Sequence, residues 1–116
     1  MILSAASTAD AKDITELYLS NMNINEITQF ISLCKNLKKL NLNDNKIEYI
    51  EHLHKLGELL EINLSFNLLW SIDGLRCPKL RILKLDSNKI ESLEGIDNLK
   101  CLVTLSLSHN KITSMK

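Results

Sequence analysis

The sequence predicts an α/β solenoid, with parallel strands on its concave face and 3₁₀ or short helical returns on its convex face. Three observations carry that prediction. An eleven-position pattern, L-x-x-L-x-L-x-x-N-x-I, starts at Ile14, Leu37, Leu59, Leu80 and Leu102, so its spacings are 23, 22, 21 and 22 residues. Within each copy the apolar period changes from two to three. An asparagine also falls at position 9 of four copies, as Asn45, Asn67, Asn88 and Asn110.

Each part of the pattern has a physical reading. Positions 4 and 6 are apolar between polar positions 3, 5 and 7, the signature of a strand with one buried face. Positions 11, 14 and 17, and usually 20, are apolar in steps of three, which suits a 3₁₀ return. Position 14, 17 and 20 residues are Ile27, Phe30 and Leu33 in repeat one and Ile50, Leu53 and Leu56 in repeat two. They are Ile72, Leu75 and Pro78 in repeat three and Leu93, Ile96 and Leu99 in repeat four. A single copy cannot bury its apolar side, whereas stacked copies form a continuous core. The asparagines stand where the chain leaves each strand, and a carboxamide there supplies both a donor and an acceptor to a buried turn. The predicted organisation is an N-terminal cap over 1–13, with Ser7 or Thr8 as N-cap, and repeats over 14–36, 37–58, 59–79, 80–101 and 102–116, the last incomplete.

These residues resemble the leucine-rich repeats of the short, 22-residue class, including the glycine at position 16 in "SIDGL" (71–75) and "SLEGI" (92–96). Members of that class include a phosphatase-1 regulatory subunit, an axonemal dynein light chain and a spliceosomal A-prime protein. The resemblance implies binding through the concave face and adjoining loops rather than catalysis. It extends to an adaptor that is cytoskeletal and dynein-associated, or alternatively a ribonucleoprotein component or phosphatase regulatory subunit holding a protein partner. Two departures from the class stand out. Met22 replaces the asparagine of repeat one. The sequence also ends at Lys116 without the usual capping element, which would leave Leu102, Leu105, Leu107, Ile112 and Met115 uncovered. A longer chain, self-association or another protein would then cover them.

Composition narrows the function classes. Lys and Arg number 14, as do Asp and Glu, so no basic surplus calls for nucleic acid. Cys34, Cys77 and Cys101 are an odd number without CxxC spacing and read as small core residues in a reducing compartment. "MILSAASTADAK" has no basic segment before its apolar residues, and no apolar run spans a membrane, so an intracellular, cytoplasmic location is expected, with cytoskeletal or nuclear placement open. His52, His54 and His109 lie at unrelated positions, and Glu48 and Glu51 read as a solvated face. No catalytic or phosphate-binding motif occurs, so neither an enzyme nor a cofactor is expected.

The expected partner is another protein. On the strand face, Lys39, Lys84 and Asp86 with their charged neighbours either select that partner by charge pattern or are ordinary solvated polarity. Repeat three carries a sharper signal. At positions 10 and 12, repeats two and four have Lys46 and Glu48, and Lys89 and Glu91; repeat three has Leu68 and Trp70. Phe66 occupies position 8, otherwise polar. Phe66, Leu68 and Trp70 therefore form an outward apolar cluster, extended by Leu60 and Ile82. It is either an interface or is covered locally by Trp70 folding over its own loop or Lys46.

Overall fold

The computed structural model describes residues 11–113. Five three-residue strands, β1 (Glu16–Tyr18), β2 (Lys39–Asn41), β3 (Glu61–Asn63), β4 (Ile82–Lys84) and β5 (Thr104–Ser106), form one parallel sheet in sequence order. Position pairs with position: Leu17, Leu40, Ile62, Leu83 and Leu105 are successive partners across the sheet. A parallel pair needs a crossover, and the returns between strands supply it. Only two returns contain helix, both 3₁₀: Gln29–Leu33 and Ile96–Asn98.

The period-two strands and period-three returns close on one continuous core. Leu40, Leu42, Ile47, Leu53 and Leu56 of repeat two are fully buried, as are Leu59, Ile62, Leu64 and Leu69 of repeat three. Two return residues depart from the sequence expectation. Phe30 is exposed and Ile31 is buried; Pro78 is exposed and Cys77 is buried. The cause is the uneven repeat length. One added residue in repeat one moves the inward side chain one place on. One missing residue in repeat three moves it one place back.

The asparagines join each turn to the one before it. Asn67 Nδ2 donates to Leu42 O and Leu64 O, each at 3.0 Å, and its Oδ1 accepts from Ile47 N at 3.0 Å. Asn88 repeats this one turn on, donating to Leu64 O and accepting from Leu69 N. Asn110 donates to Leu85 O and accepts from Ile90 N. Asn45 Oδ1 accepts from both Met22 N and Ile24 N, so repeat one is served from repeat two although its own position 9 is Met22.

A second column was not legible as such. Position 8 is left-handed in every repeat: Asn21 (φ 53°), Asp44 (58°), Phe66 (56°), Ser87 (54°) and His109 (60°). The turn leaving each strand demands it, and Asn or Asp tolerates this region best. Phe66 does not belong to that group.

Ser7, Thr8 and Met115 lie outside the described residues. Of the uncovered set, Leu102, Leu105, Leu107 and Ile112 are partly buried against the core. Cys34 and Cys77 are buried, but Cys101 is exposed, contrary to the expectation of three core cysteines. It stands in the return between β4 and β5, just before Leu102, at the outer end of the stack.

Candidate binding surface

The ladder geometry arranges the loops beyond the strands into rows. Position 10 runs Lys46, Leu68, Lys89, Lys111, each N–H donating to a position 11 carbonyl of the preceding repeat at 2.7–2.9 Å. Position 12 runs Glu48, Trp70, Glu91, Thr113, with Glu91 N donating to Trp70 O and Thr113 N to Glu91 O. Repeat three thus places leucine in a row of lysines and tryptophan between two glutamates.

Phe66 is 57% exposed, Trp70 49% exposed and Leu68 half-buried. Trp70 meets Tyr49 edge to face, with ring centroids 5.8 Å apart and planes at 77°. Such a pair contributes about 0.5–1.5 kcal/mol beyond area burial. Both rings stay open to solvent on their other sides. Tyr49 is the residue the sequence reading missed. Its signal was present: it occupies position 13, where repeats three and four have Ser71 and Ser92.

Leu60 and Ile82 do not extend this cluster. They lie at the opposite ends of the strands, where they line a shallow furrow with Val103. Leu60 immediately precedes β3 and Ile82 begins β4, whereas Phe66, Leu68 and Trp70 all follow β3. An extended chain rises about 3.3 Å per residue, so the six steps from Leu60 to Phe66 separate the two places.

Two of the three polar candidates, Lys39 and Asp86, are engaged within the chain. Lys39 Nζ is 3.9 Å from Glu61 Oε2 and 5.6 Å from the Tyr18 ring centroid. The Tyr18 hydroxyl and then the Glu61 carboxylate push the Lys39 pKa above its ordinary range. Lys84 is exposed on the same face. The Asp86 carboxylate accepts from Ser106 Oγ at 2.6 and 2.7 Å, from Ser108 Oγ at 2.8 Å and from Ser108 N at 2.8 Å. These bonds, led by the Ser106 hydroxyl, lower its pKa.

Asp86 therefore fastens β5 to β4. A carboxyl whose folded pKa is depressed contributes stability above its unfolded value, and that contribution is lost as pH falls through the folded value. Asp86→Asn should lower Tm at neutral pH, through the loss of about 1–2 kcal/mol of charge-assisted bonding. The gap to the unsubstituted chain should narrow as pH falls below the ordinary carboxylate range, and vanish only once Asp86 is protonated in the folded chain as well. Thermal melts at pH 7 and pH 3 check this; an equal gap at both would refute the role.

Burial raises the Cys77 pKa to about 11 and raises that of Cys34 as well, which keeps both as thiols at neutral pH. Among the described residues, no group of three or more His, Cys, Asp or Glu gathers as metal ligands. Nor is any helix among them long and apolar enough to cross a membrane.

No curated protein sequence matches the chain. Solved structures do. A chain of the BIR3–SERK2 complex from Arabidopsis thaliana is 29% identical, with a TM-score of 0.69, covering 81% of this chain and 55% of that one. An internalin, inlF, from Listeria monocytogenes is 23% identical, with a TM-score of 0.72, covering 92% of this chain and 38% of that one. The leucine-rich repeat domain of APL1B is 24% identical, with a TM-score of 0.64, covering 88% of this chain and 37% of that one. The chain thus spans from 37% to 55% of those chains. A family model for one leucine-rich repeat matches residues 36–56, and a two-copy leucine-rich repeat model matches residues 57–98 and 78–116. With repeats two to five matched, and a parallel solenoid linked by asparagines beneath them, the chain belongs to the leucine-rich repeat family.

Proposed function

We propose that this chain is a protein–protein interaction scaffold that anchors its partner on the exposed aromatic cluster of repeat three, Phe66, Leu68 and Trp70, with Tyr49 added. One observation carries this reading: Phe66 is a bulky side chain held at φ 56° and 57% exposed. Left-handed backbone costs a non-glycine residue about 1–2 kcal/mol, least for Asn and Asp. The other four repeats place Asn21, Asp44, Ser87 and His109 there. A phenylalanine that neither relieves the turn nor fills the core is best accounted for by contact with something else. The Trp70–Tyr49 pair adds rigid aromatic area, which loses little entropy on binding. The likeness to a chain of the BIR3–SERK2 complex, a protein assembly, supports the same class of role.

Two variants test the proposal. Phe66→Asn should stabilise the fold by about 0.5–1 kcal/mol, by relieving the left-handed strain, yet weaken partner capture. Phe66→Ser/Leu68→Lys/Trp70→Glu should remain folded and lose at least about tenfold in affinity, the loss typical of hot-spot removal. Capture from lysate, read by mass spectrometry against the unsubstituted chain, identifies the partner. Loss of the captured protein on RNase treatment would favour a ribonucleoprotein role; a motor or phosphatase subunit would favour those alternatives. Identical captures by the unsubstituted and triply substituted chains would refute the repeat-three anchor.

A further inference from the structure

The ends of the strands opposite Trp70 carry a second organised edge. Position 2 residues Thr15, Lys38, Leu60, Arg81 and Val103 are locked in one row by paired backbone bonds. The Thr15 carbonyl accepts from Lys38 N and Lys39 N at 2.7 and 3.1 Å. The Lys38, Leu60 and Arg81 carbonyls repeat the arrangement in turn, to Val103 N and Thr104 N. All five side chains are exposed, Val103 to 71%.

The row changes character along its length. At repeats one and two it borders a cleft of about 620 Å³ lined by three lysines, Lys12, Lys35 and Lys38. None of the three has an ion-pair partner among the described residues. Of the two carboxylates on that cleft, Glu58 is paired with Lys79 at 3.1 Å, which leaves Asp13. At repeats three to five the row borders a furrow of about 350 Å³ lined by Leu60, Ile82 and Val103 together with Arg81, Thr104 and Glu61, whose carboxylate lies 3.9 Å from Lys39 Nζ. A chain with no net charge therefore gathers three lysines at one end of a single edge and a mainly aliphatic furrow, with Arg81 beside it, at the other.

We propose that this edge is a second docking groove, for a peptide segment of a protein partner with acidic residues at one end and aliphatic residues at the other. Parallel strands stand about 4.7–4.9 Å apart, so the row from Thr15 to Val103 spans about 19 Å. An extended peptide of about six residues covers that length. The ammonium groups of Lys12, Lys35 and Lys38 receive its carboxylates or phosphates, and the furrow receives its branched side chains. A single-stranded nucleic acid is disfavoured because the furrow offers no aromatic ring for base stacking. The groove is independent of the repeat-three cluster, since β3 separates the two.

The test titrates the isotope-labelled full chain with the synthetic peptide Asp-Glu-Asp-Leu-Val-Leu and follows backbone amide shifts. The expected result is shifts confined to the row at Thr15, Lys38, Leu60, Arg81 and Val103 and to the adjoining cleft at Lys12 and Lys35. Affinity should fall at least fivefold in Lys35→Glu/Lys38→Glu and in Val103→Asp, and stay unchanged in Trp70→Glu. Added salt should weaken binding, and the charge-reversed peptide Lys-Arg-Lys-Leu-Val-Leu should not bind. Both variants change exposed side chains, and a matching Tm establishes that they fold. Absence of shifts along the row at millimolar peptide overturns the proposal. So do shifts centred on Trp70, or an RNA hexanucleotide that binds as tightly and is insensitive to Val103→Asp.

Discussion

Asn67→Ala should destabilise the chain by about 2–4 kcal/mol, more than the equivalent change at Asn110. Asn67 is buried, and its carboxamide joins two repeats. Removing it leaves Ile47 N–H without its acceptor. The effect on the three carbonyls is softer, because each keeps another donor: Ser65 O keeps Asp44 N, Leu42 O keeps Asn45 Nδ2, and Leu64 O keeps Asn88 Nδ2. Asn110 makes the same bonds but is only half-buried, so water replaces part of what is lost there. Urea unfolding of the two variants measures both losses. A difference under about 0.5 kcal/mol between them would mean that burial of the ladder does not set its strength.

Gly74→Ala should cost about 2–4 kcal/mol and Gly95→Ala only about 1 kcal/mol, although both glycines occupy position 16. Their backbones are nearly the same, with φ of 92° and 95°. The surroundings differ. A Cβ on Gly74 would stand 2.6 Å from Ile50 O, a backbone atom of the preceding turn. A Cβ on Gly95 would meet only Asn98 Nδ2, at 3.8 Å. His52 holds position 16 of repeat two at φ 63°, so a side chain at this turn is tolerated where space allows. The expected difference is therefore steric, and the two melting temperatures separate it from the conformational cost that both variants share. Equal melting temperatures would show that the turn at Gly74 shifts freely away from Ile50.

The repeat arithmetic was enough for the architecture. Apolar spacing, strand alternation and the asparagine column each follow from local periodicity, and stacking then leaves one arrangement that buries every copy. It failed where a repeat gained or lost one residue, because a fixed count cannot say whether Phe30 or Ile31, or Pro78 or Cys77, turns inward. Packing against the neighbouring turn decides that.

The candidate surface divides in the same way. Leu68 and Trp70 were conspicuous against the lysines and glutamates of their rows, and Phe66 against its polar counterparts. The left-handed backbone at Phe66 was invisible until the turn geometry was in hand, and it is what makes that residue costly. Tyr49 lies 21 positions before Trp70, nearly one full repeat, and only stacking brings the two rings together. The sequence alone determined a five-repeat solenoid and an anomalous third repeat. The tertiary structure decided that Leu60 and Ile82 belong with Val103 at the far ends of the strands, because a strand carries residues six positions apart to opposite edges of the sheet however similar their side chains are.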